Sequence, residues 1–336
     1  MVKKYRPATI IEVAQRAGVS PSTVSRVLNG TAVVVPETEK RVRAAISDLN
    51  FSPRPAARQL VNQRTNIIGL LLPEISGEFF PPMLRGIEAG AREAGYDLLI
   101  HSTRDNRTPG PRPLREHNTD GVLIFPESVD AAELQRLYAI GFPVVLLHQS
   151  SPPGVQFPTV TVENKSGAGK LIDHLIEIHG CRRIAFLQGP ASHEDSYWRE
   201  RGYREALEAH SIPFDAQLVA FGGFDERTAY QTVQRWLLDG LDFDAVFAGD
   251  DDAATGVIAA LNQAGRRIPE DVAVVGFDDV PFSRFLSPSL TTVRAPIEQV
   301  GRDAVRQLVR YINDKRVEPE VLLPTELVIR HSCGCG

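Results

Sequence analysis

The sequence predicts a small all-α head joined to a large α/β body, and three observations lead there. At 336 residues the chain is longer than one ordinary core accommodates, so two or three domains are expected. Up to about residue 65 apolar residues recur at helical spacing, whereas beyond Asn66 continuous apolar runs alternate with amphipathic stretches. The charge divides at the same place. Residues 1–65 carry eleven Lys/Arg against four acids, a net +7, while the remaining 271 carry 26 against 38, a net −12. A basic head on an acidic body is the electrostatic outline of a nucleic-acid-binding module attached to something else.

Composition excludes several classes. Hydrophobic residues at 43% and charged residues at 24% are near globular averages, which argues against long disorder and against a membrane protein. No apolar run approaches the roughly 20 residues of a spanning helix, and the basic N-terminus lacks the apolar region of an export signal. Three cysteines, Cys181, Cys333 and Cys335, suit a reducing compartment rather than a disulfide framework. A cytoplasmic location is expected.

The head's first helix starts at Thr9 as N-cap, carries Ile10, Val13, Ala14 and Ala17 on one face, and stops at Gly18. Gly18-Val19-Ser20 makes a tight turn, with Ser20 capping a second helix that has Pro21 at its first position and runs to Asn29. There Val24, Val27 and Leu28 face inward, leaving Ser22, Ser25, Arg26 and Asn29 as an outward polar stripe. A short-side-chain polar face behind a tight turn in a basic domain is what a recognition helix requires: small residues let it enter the major groove, and Arg26 can pair with a guanine edge. Ser20, Thr23, Ser25 and Asn29 suit phosphates. A third helix, Pro36 to Leu49, presents Val42, Ala45, Ile46 and Leu49, with a poor cap at Val35. Then comes Ser52-Pro53-Arg54-Pro55-Ala56-Ala57-Arg58-Gln59-Leu60, too short a helix to hold by itself in water, either a hinge that folds on DNA or an ordinary linker.

In the body, Ile67–Leu72, Asp97–Ile100, Gly121–Phe125, Phe142–Leu147, Arg183–Leu187, Ala245–Phe247 and Val272–Val275 read as strands, with helices at Pro82–Ala94 and Ser196–Ala209. Continuous apolar strands imply parallel sheets covered on both faces, and this many units imply two doubly wound lobes. Ligands in such sheets sit beyond the carboxyl ends of the strands. Polar and aromatic residues recur there: Phe79 and Phe80 after the first strand, His148 after Leu147, Asp250 after Phe247, Asp278 after Val275, and Trp198 and Arg199 on the late helix. Aromatic faces with Asp and Arg suit a polyhydroxylated ring.

The runs Thr9-Ile-Ile-Glu-Val-Ala, Gly18-Val-Ser, Thr23-Val-Ser-Arg-Val-Leu-Asn29, Leu49-Asn-Phe-Ser-Pro53 and Ala57-Arg-Gln-Leu60 resemble the head of the LacI/GalR family of transcription regulators, and the resemblance continues to Arg330. It implies a type I periplasmic-binding-protein-like body, a head over 1–52, a hinge over 53–65, and an effector-binding and dimerisation domain over 66–336. Within that domain the N-lobe is about 66–162 with 293–323, and the C-lobe about 163–290 with 324–336. It also implies DNA contacts at Thr9, Ser20, Pro21, Ser22, Thr23, Ser25, Arg26, Asn29, Ala57 and Leu60, with Leu60 as a minor-groove wedge. Arg199 matches the family's effector arginine, Asp278 its effector aspartate, and Ser289–Val293 its crossover between lobes. His148 and Asp250 depart from the usual residues, and the connection between Asn106 and Asp120, with Pro109, Pro111 and Pro113, is about one helical turn short.

Enzyme motifs fail. Gly167-Ala-Gly-Lys170 lacks the rest of a phosphate loop and reads as a helix start; no nucleophile elbow or zinc-protease motif occurs. Cys333-Gly-Cys335 offers two ligands on a tail expected to be mobile, so neither a metal nor a cofactor is expected. A transport binding protein would need an export signal. The expected protein is therefore a non-enzymatic, effector-controlled repressor, a homodimer on palindromic operator DNA with a sugar-like effector and no membrane partner. The chain's stop soon after the last strand, Glu326–Arg330, argues for a dimer over a tetramer.

Overall fold

The computed structural model describes residues 6, 8–29, 32–51, 64–103, 114 and 116–335, with Asn29 described by its backbone alone. Ala57, Leu60 and most of the 53–65 hinge lie outside the described residues, as do the three prolines of the 106–120 connection. The chain divides between Thr65 and Asn66 into two compact units, and no helix among the described residues is long and apolar enough to cross a membrane.

In the first unit, α1 spans Ile10–Ala17, α2 Pro21–Asn29 and α3 Pro36–Asp48. Thr9 and Glu12 form a reciprocal capping box: the Thr9 hydroxyl accepts the Glu12 N–H at 3.3 Å, and the Glu12 carboxylate accepts the Thr9 N–H at 2.7 Å. Gly18 ends α1 at φ +64°, a left-handed conformation that its missing Cβ makes inexpensive. Ser20 Oγ accepts the Thr23 N–H at 3.2 Å and so caps α2. Val13, Ala14, Ala17, Val24, Val27, Val42 and Ala45 form the core, with Val19 packed against its edge. Val35 caps α3 with no side-chain bond. Pro36 at the first position removes one N–H needing a partner, and Glu37 and Glu39 complement the helix dipole.

The second unit has two six-stranded sheets. The first has β1 (Ile67–Leu72), β2 (Asp97–Ser102), β3 (Gly121–Ile124), β4 (Val144–Leu147), β5 (Thr159–Val162) and β11 (Glu320–Leu323) in the order β11-β5-β4-β3-β1-β2, all parallel. In the second, β6 (Ile184–Gln188), β7 (Val219–Phe221), β8 (Ala245–Ala248), β9 (Ala273–Asp278) and β10 (Thr291–Arg294) are parallel, and β12 (Glu326–Val328) joins β10 antiparallel, in the order β12-β10-β9-β8-β6-β7. The helices are α4 (Phe80–Ala94), α5 (Ala131–Ala139), α6 (Asn164–Glu177), α7 (Glu194–Ala209), α8 (Glu226–Leu238), α9 (Asp251–Gln263) and α10 (Ile297–Ile312). Alternate residues of a strand enter different cores: Ile68, Leu70 and Leu72 one, Leu71 another; Phe247 one, Val246 and Ala248 another. Burial on both faces is why these strands lack polar alternation.

Three differences from the sequence reading have physical reasons. Because β10 pairs with β9, Thr291 opposite Val275, the return to the first sheet falls after Arg294 rather than at 293. Strands β5, β7 and β11 escape a hydrophobicity criterion because they are short and mix polar or exposed residues: Thr-Val-Thr-Val, Val-Ala-Phe and Glu-Val-Leu-Leu. The tail does not trail into solvent: β12 ends at Val328, and a 3₁₀ turn at His331–Cys333 buries Ser332 and Cys333.

Candidate functional site

On the head, Ser20, Pro21, Ser22 and Arg26 are exposed along α2, with Thr23 and Ser25 half-buried beside them. Ser20 Oγ lies 2.8 Å from Ser22 Oγ and 2.9 Å from Thr23 Oγ1, so three hydroxyls cluster at the N-terminus of the helix. The dipole there favours an anionic partner such as phosphate. Thr9 donates its hydroxyl to Glu12 at 3.0 Å, which organises α1 before any contact is made.

Between the two sheets of the body lies a cleft of about 710 Å³, within the range of small-molecule sites. Phe79, Phe80, Arg199, Asp250 and Asp278 line it, together with Phe125, His193, Asp195, Phe224 and Asp252. Arg199 is the organising group. Its guanidinium donates to Asn164 Oδ1 at 2.9 Å, the Gly249 carbonyl at 2.7 Å and Asp278 Oδ1 at 2.9 Å, and lies 3.8 Å from the centre of the Phe277 ring. It reaches the cleft because α7 approaches α6 closely: a Cβ on Gly202 would sit 2.2 Å from the Lys165 carbonyl. Asp250 caps α9, accepting the Ala253 N–H at 2.8 Å, and Asp278 is held at φ +105° as β9 ends.

Opposing lobes meet around the cleft. His148 Nδ1 lies 2.9 Å from Asp195, the Ser150 hydroxyl donates to Glu194 at 2.7 Å, the Glu78 N–H reaches Asp252 at 3.3 Å, and Ser192 bonds Glu127. The buried carboxylates of the cleft are not alike. Burial, then Asp278 and Asp252, push Asp250 well above the usual carboxylate range. Burial also raises Asp278 despite Arg199, and raises Asp252. At Asp195 burial opposes ionisation, but His148, Arg199 and the Asn164 hydrogen bond outweigh it and hold the pKa low. Burial lowers His193, favouring the neutral imidazole. Beneath them, Asp251 accepts from the Val280 N–H and the Ser283 and Thr292 hydroxyls, and burial pushes it up to about 8.

Two of the seven effector positions read from the sequence stand apart. Trp198 is 43% exposed and lines a separate depression with Gln149, Ser150 and Glu163, because it points away from the face of α7 that carries Arg199. His148 is buried behind the cleft wall, against the Phe79 and Phe125 rings, with Nε2 unpartnered among the described residues. Sequence reasoning missed Asp195, four residues before Arg199 on the same helical face and so findable by spacing. It also missed Phe224 and His193, on loops that no periodicity marks.

Two family profiles match the chain: "Bacterial regulatory proteins, lacI family" over residues 9–54 and "Periplasmic binding protein-like domain" over 172–333. The chain is 34% identical over 333 residues to the ribose operon repressor of Halalkalibacterium halodurans, covering 98% of both chains. It belongs to the LacI family. Among solved structures it is similar to a complex of the transcriptional regulator CelR with cellobiose, at TM-score 0.72 and 33% identity, covering 97% of this chain and 100% of that one. It is also similar to the Lac repressor dimer bound to operator and the anti-inducer ONPF, at TM-score 0.84 and 25% identity, covering 98% and 99%. This LacI-family chain is accordingly a sequence-specific DNA-binding regulator with a helix-turn-helix and a two-lobed α/β body, and not an enzyme.

Proposed function

We propose that this LacI-family chain is a cytoplasmic repressor that binds a pseudo-palindromic operator as a homodimer and is controlled by a neutral or cationic sugar-like effector in the interlobe cleft. The observation that carries the effector reading is the buried Arg199–Asp278 pair at 2.9 Å beside Asp250, with Phe79 and Phe224 on the cleft walls. Carboxylate oxygens and a fixed guanidinium are partners for vicinal hydroxyls, and rings supply stacking surface. The charge sets the class. Besides the raised Asp250, Asp252 and Asp278, the cleft lining carries Glu74, Glu127, Asp195, Asp225 and Glu226 against Arg199, so a phosphorylated or carboxylated sugar would meet net repulsion. The relatives named above, a ribose operon repressor and a cellobiose-bound regulator, support a saccharide.

The reading assigns base recognition to Arg26 with Ser22, phosphate contacts to Ser20, Thr23, Ser25 and Asn29, anchorage to Thr9 and Pro21, and the minor groove to Ala57 and Leu60. For the effector it assigns direct contact to Arg199, Asp250, Asp278, Phe79 and Phe80, and positioning of Asp195 to His148. A dimer fits the exposed apolar residues on corresponding edge strands: Leu99 and Ile100 on β2 and Phe221 on β7. The test is calorimetry of the full chain against neutral mono- and disaccharides and their phosphates. Binding of a neutral sugar that Asp278→Asn weakens is expected; preferential binding of a phosphosugar would overturn the assigned class.

A further inference from the structure

The second lobe holds a cluster of metal-ligand side chains unconnected with the cleft. His174 sits in the last turn of α6, His179 follows after the helix, and Cys333 and Cys335 lie in the turn after β12. Their ligand atoms all fall within 4.8 Å of one another. His174 Nε2 is 3.3 Å from His179 Nε2, 3.5 Å from Cys333 Sγ and 3.7 Å from Cys335 Sγ, and Cys335 Sγ is 3.3 Å from His179 Nε2.

We propose that His174, His179, Cys333 and Cys335 form a structural Zn²⁺ site that clips the carboxyl-terminal tail to α6. The distances select this reading over a chance gathering of side chains. With Zn–N of about 2.0–2.1 Å and Zn–S of about 2.3 Å, the edges of a tetrahedron are about 3.4 Å between nitrogens and about 3.6 Å between nitrogen and sulfur. The four separations given above lie close to those edges, and the two remaining pairs of ligand atoms lie within 4.8 Å. Two imidazole nitrogens and two sulfurs converging on one point is the donor set borderline-soft Zn²⁺ takes. Four protein ligands leave no open position, which makes the site structural.

The backbone is shaped for it. Four residues separate the two histidines, a spacing common in zinc sites. Gly334 stands between the two cysteines at φ +105°, and a Cβ there would lie 3.2 Å from His179 Nδ1. Only glycine therefore lets the turn fold both thiols onto the histidine pair. The Thr291 hydroxyl donates to Cys333 Sγ at 3.1 Å, an outer hydrogen bond of the kind that supports a metal-bound thiolate. The two cysteines do not stand alone: His174 in the last turn of α6 and His179 just after that helix lie beside them.

The clip would stabilise the lobe in which α6 packs on the effector-site helix α7. The test uses the untagged full chain, purified reduced and passed through gel filtration, with zinc measured by mass spectrometry. One Zn²⁺ per chain is expected, and Co²⁺ substitution should give the intense visible bands of tetrahedral thiolate–imidazole coordination. Cys335→Ser and His179→Gln, both at partly exposed positions, should each lose retained zinc while the protein remains folded. A chelator should lower Tm in the parent and leave both variants unmoved. Zinc-free protein after filtration, equal zinc in the variants, or a Cys333–Cys335 disulfide in the reduced preparation would overturn the assignment.

Discussion

At the scale of single residues, Arg199 and Asp278 show how a buried ion pair serves a binding site. Each leans on the other, so deleting the cation leaves a carboxylate without compensation, which typically costs about 3–5 kcal/mol. Arg199→Ala would therefore mix lost stability with lost recognition. Asp278→Asn is the cleaner variant: the amide oxygen still accepts from the guanidinium, and Tm should move by no more than a few degrees. Effector affinity should fall on the order of tenfold to a hundredfold, since one charge-assisted hydrogen bond is worth about 1.5–3 kcal/mol. Calorimetry beside thermal unfolding separates the two. On the head, Arg26→Ala should flatten operator preference by about 1–3 kcal/mol while leaving most of the salt-dependent nonspecific affinity. A binding-site selection that returned an unchanged motif would exclude base reading by Arg26. Residue identity was legible where chemistry is dense: Arg199, Asp250 and Asp278 end strands or face them. Trp198 misled because sequence adjacency to Arg199 is not facial adjacency on a helix, where neighbours lie about 100° apart.

At the scale of elements, α1 depends on its capping box and α7 on a missing side chain. Thr9→Ala removes the acceptor for the Glu12 N–H, and about 1 kcal/mol of head stability should go with it. Hydrogen exchange across residues 10–17 should report faster opening, and unchanged protection would mean tertiary packing alone holds the helix. Gly202→Ala should push α7 away from α6, at the cost of about 1–3 kcal/mol for overpacking, and displace Arg199. The long strands were readable because burial on both faces leaves an unbroken apolar run. The edge strands β7 and β11 were not, because an edge strand three or four residues long carries too few side chains to show a period. The zinc-type cluster was half-legible: Cys333-Gly-Cys335 is visible in the sequence, but its partners lie more than 150 positions away and only the tertiary fold brings them near.

At the scale of the whole molecule, buried carboxylates make stability depend on pH. Asp251, raised to about 8, stays protonated in the folded body where the unfolded chain has already ionised. The folded state then binds more protons, so stability is fullest below about pH 4, falls as pH rises towards 8, and levels off above it. Asp251→Asn removes that titration while keeping acceptor capacity for Ser283 or Thr292. The difference in unfolding free energy between variant and parent should therefore widen in the variant's favour from pH 5 to about 8, by an amount on the order of a few kcal/mol. Parallel curves would contradict the assigned protonation. Asp195, whose pKa is lowered, contributes in the opposite sense at acid pH and is common to both proteins. Occupancy of the interlobe cleft is expected to govern DNA reading. The most direct measurement is fluorescence anisotropy of the full chain on its selected operator, titrated with a neutral sugar shown by calorimetry to bind. A change of about fivefold or more in operator affinity, corresponding to about 1–3 kcal/mol of coupling and lost in Asp278→Asn, is the expected result. Unchanged operator affinity at saturating, calorimetrically verified sugar would contradict it.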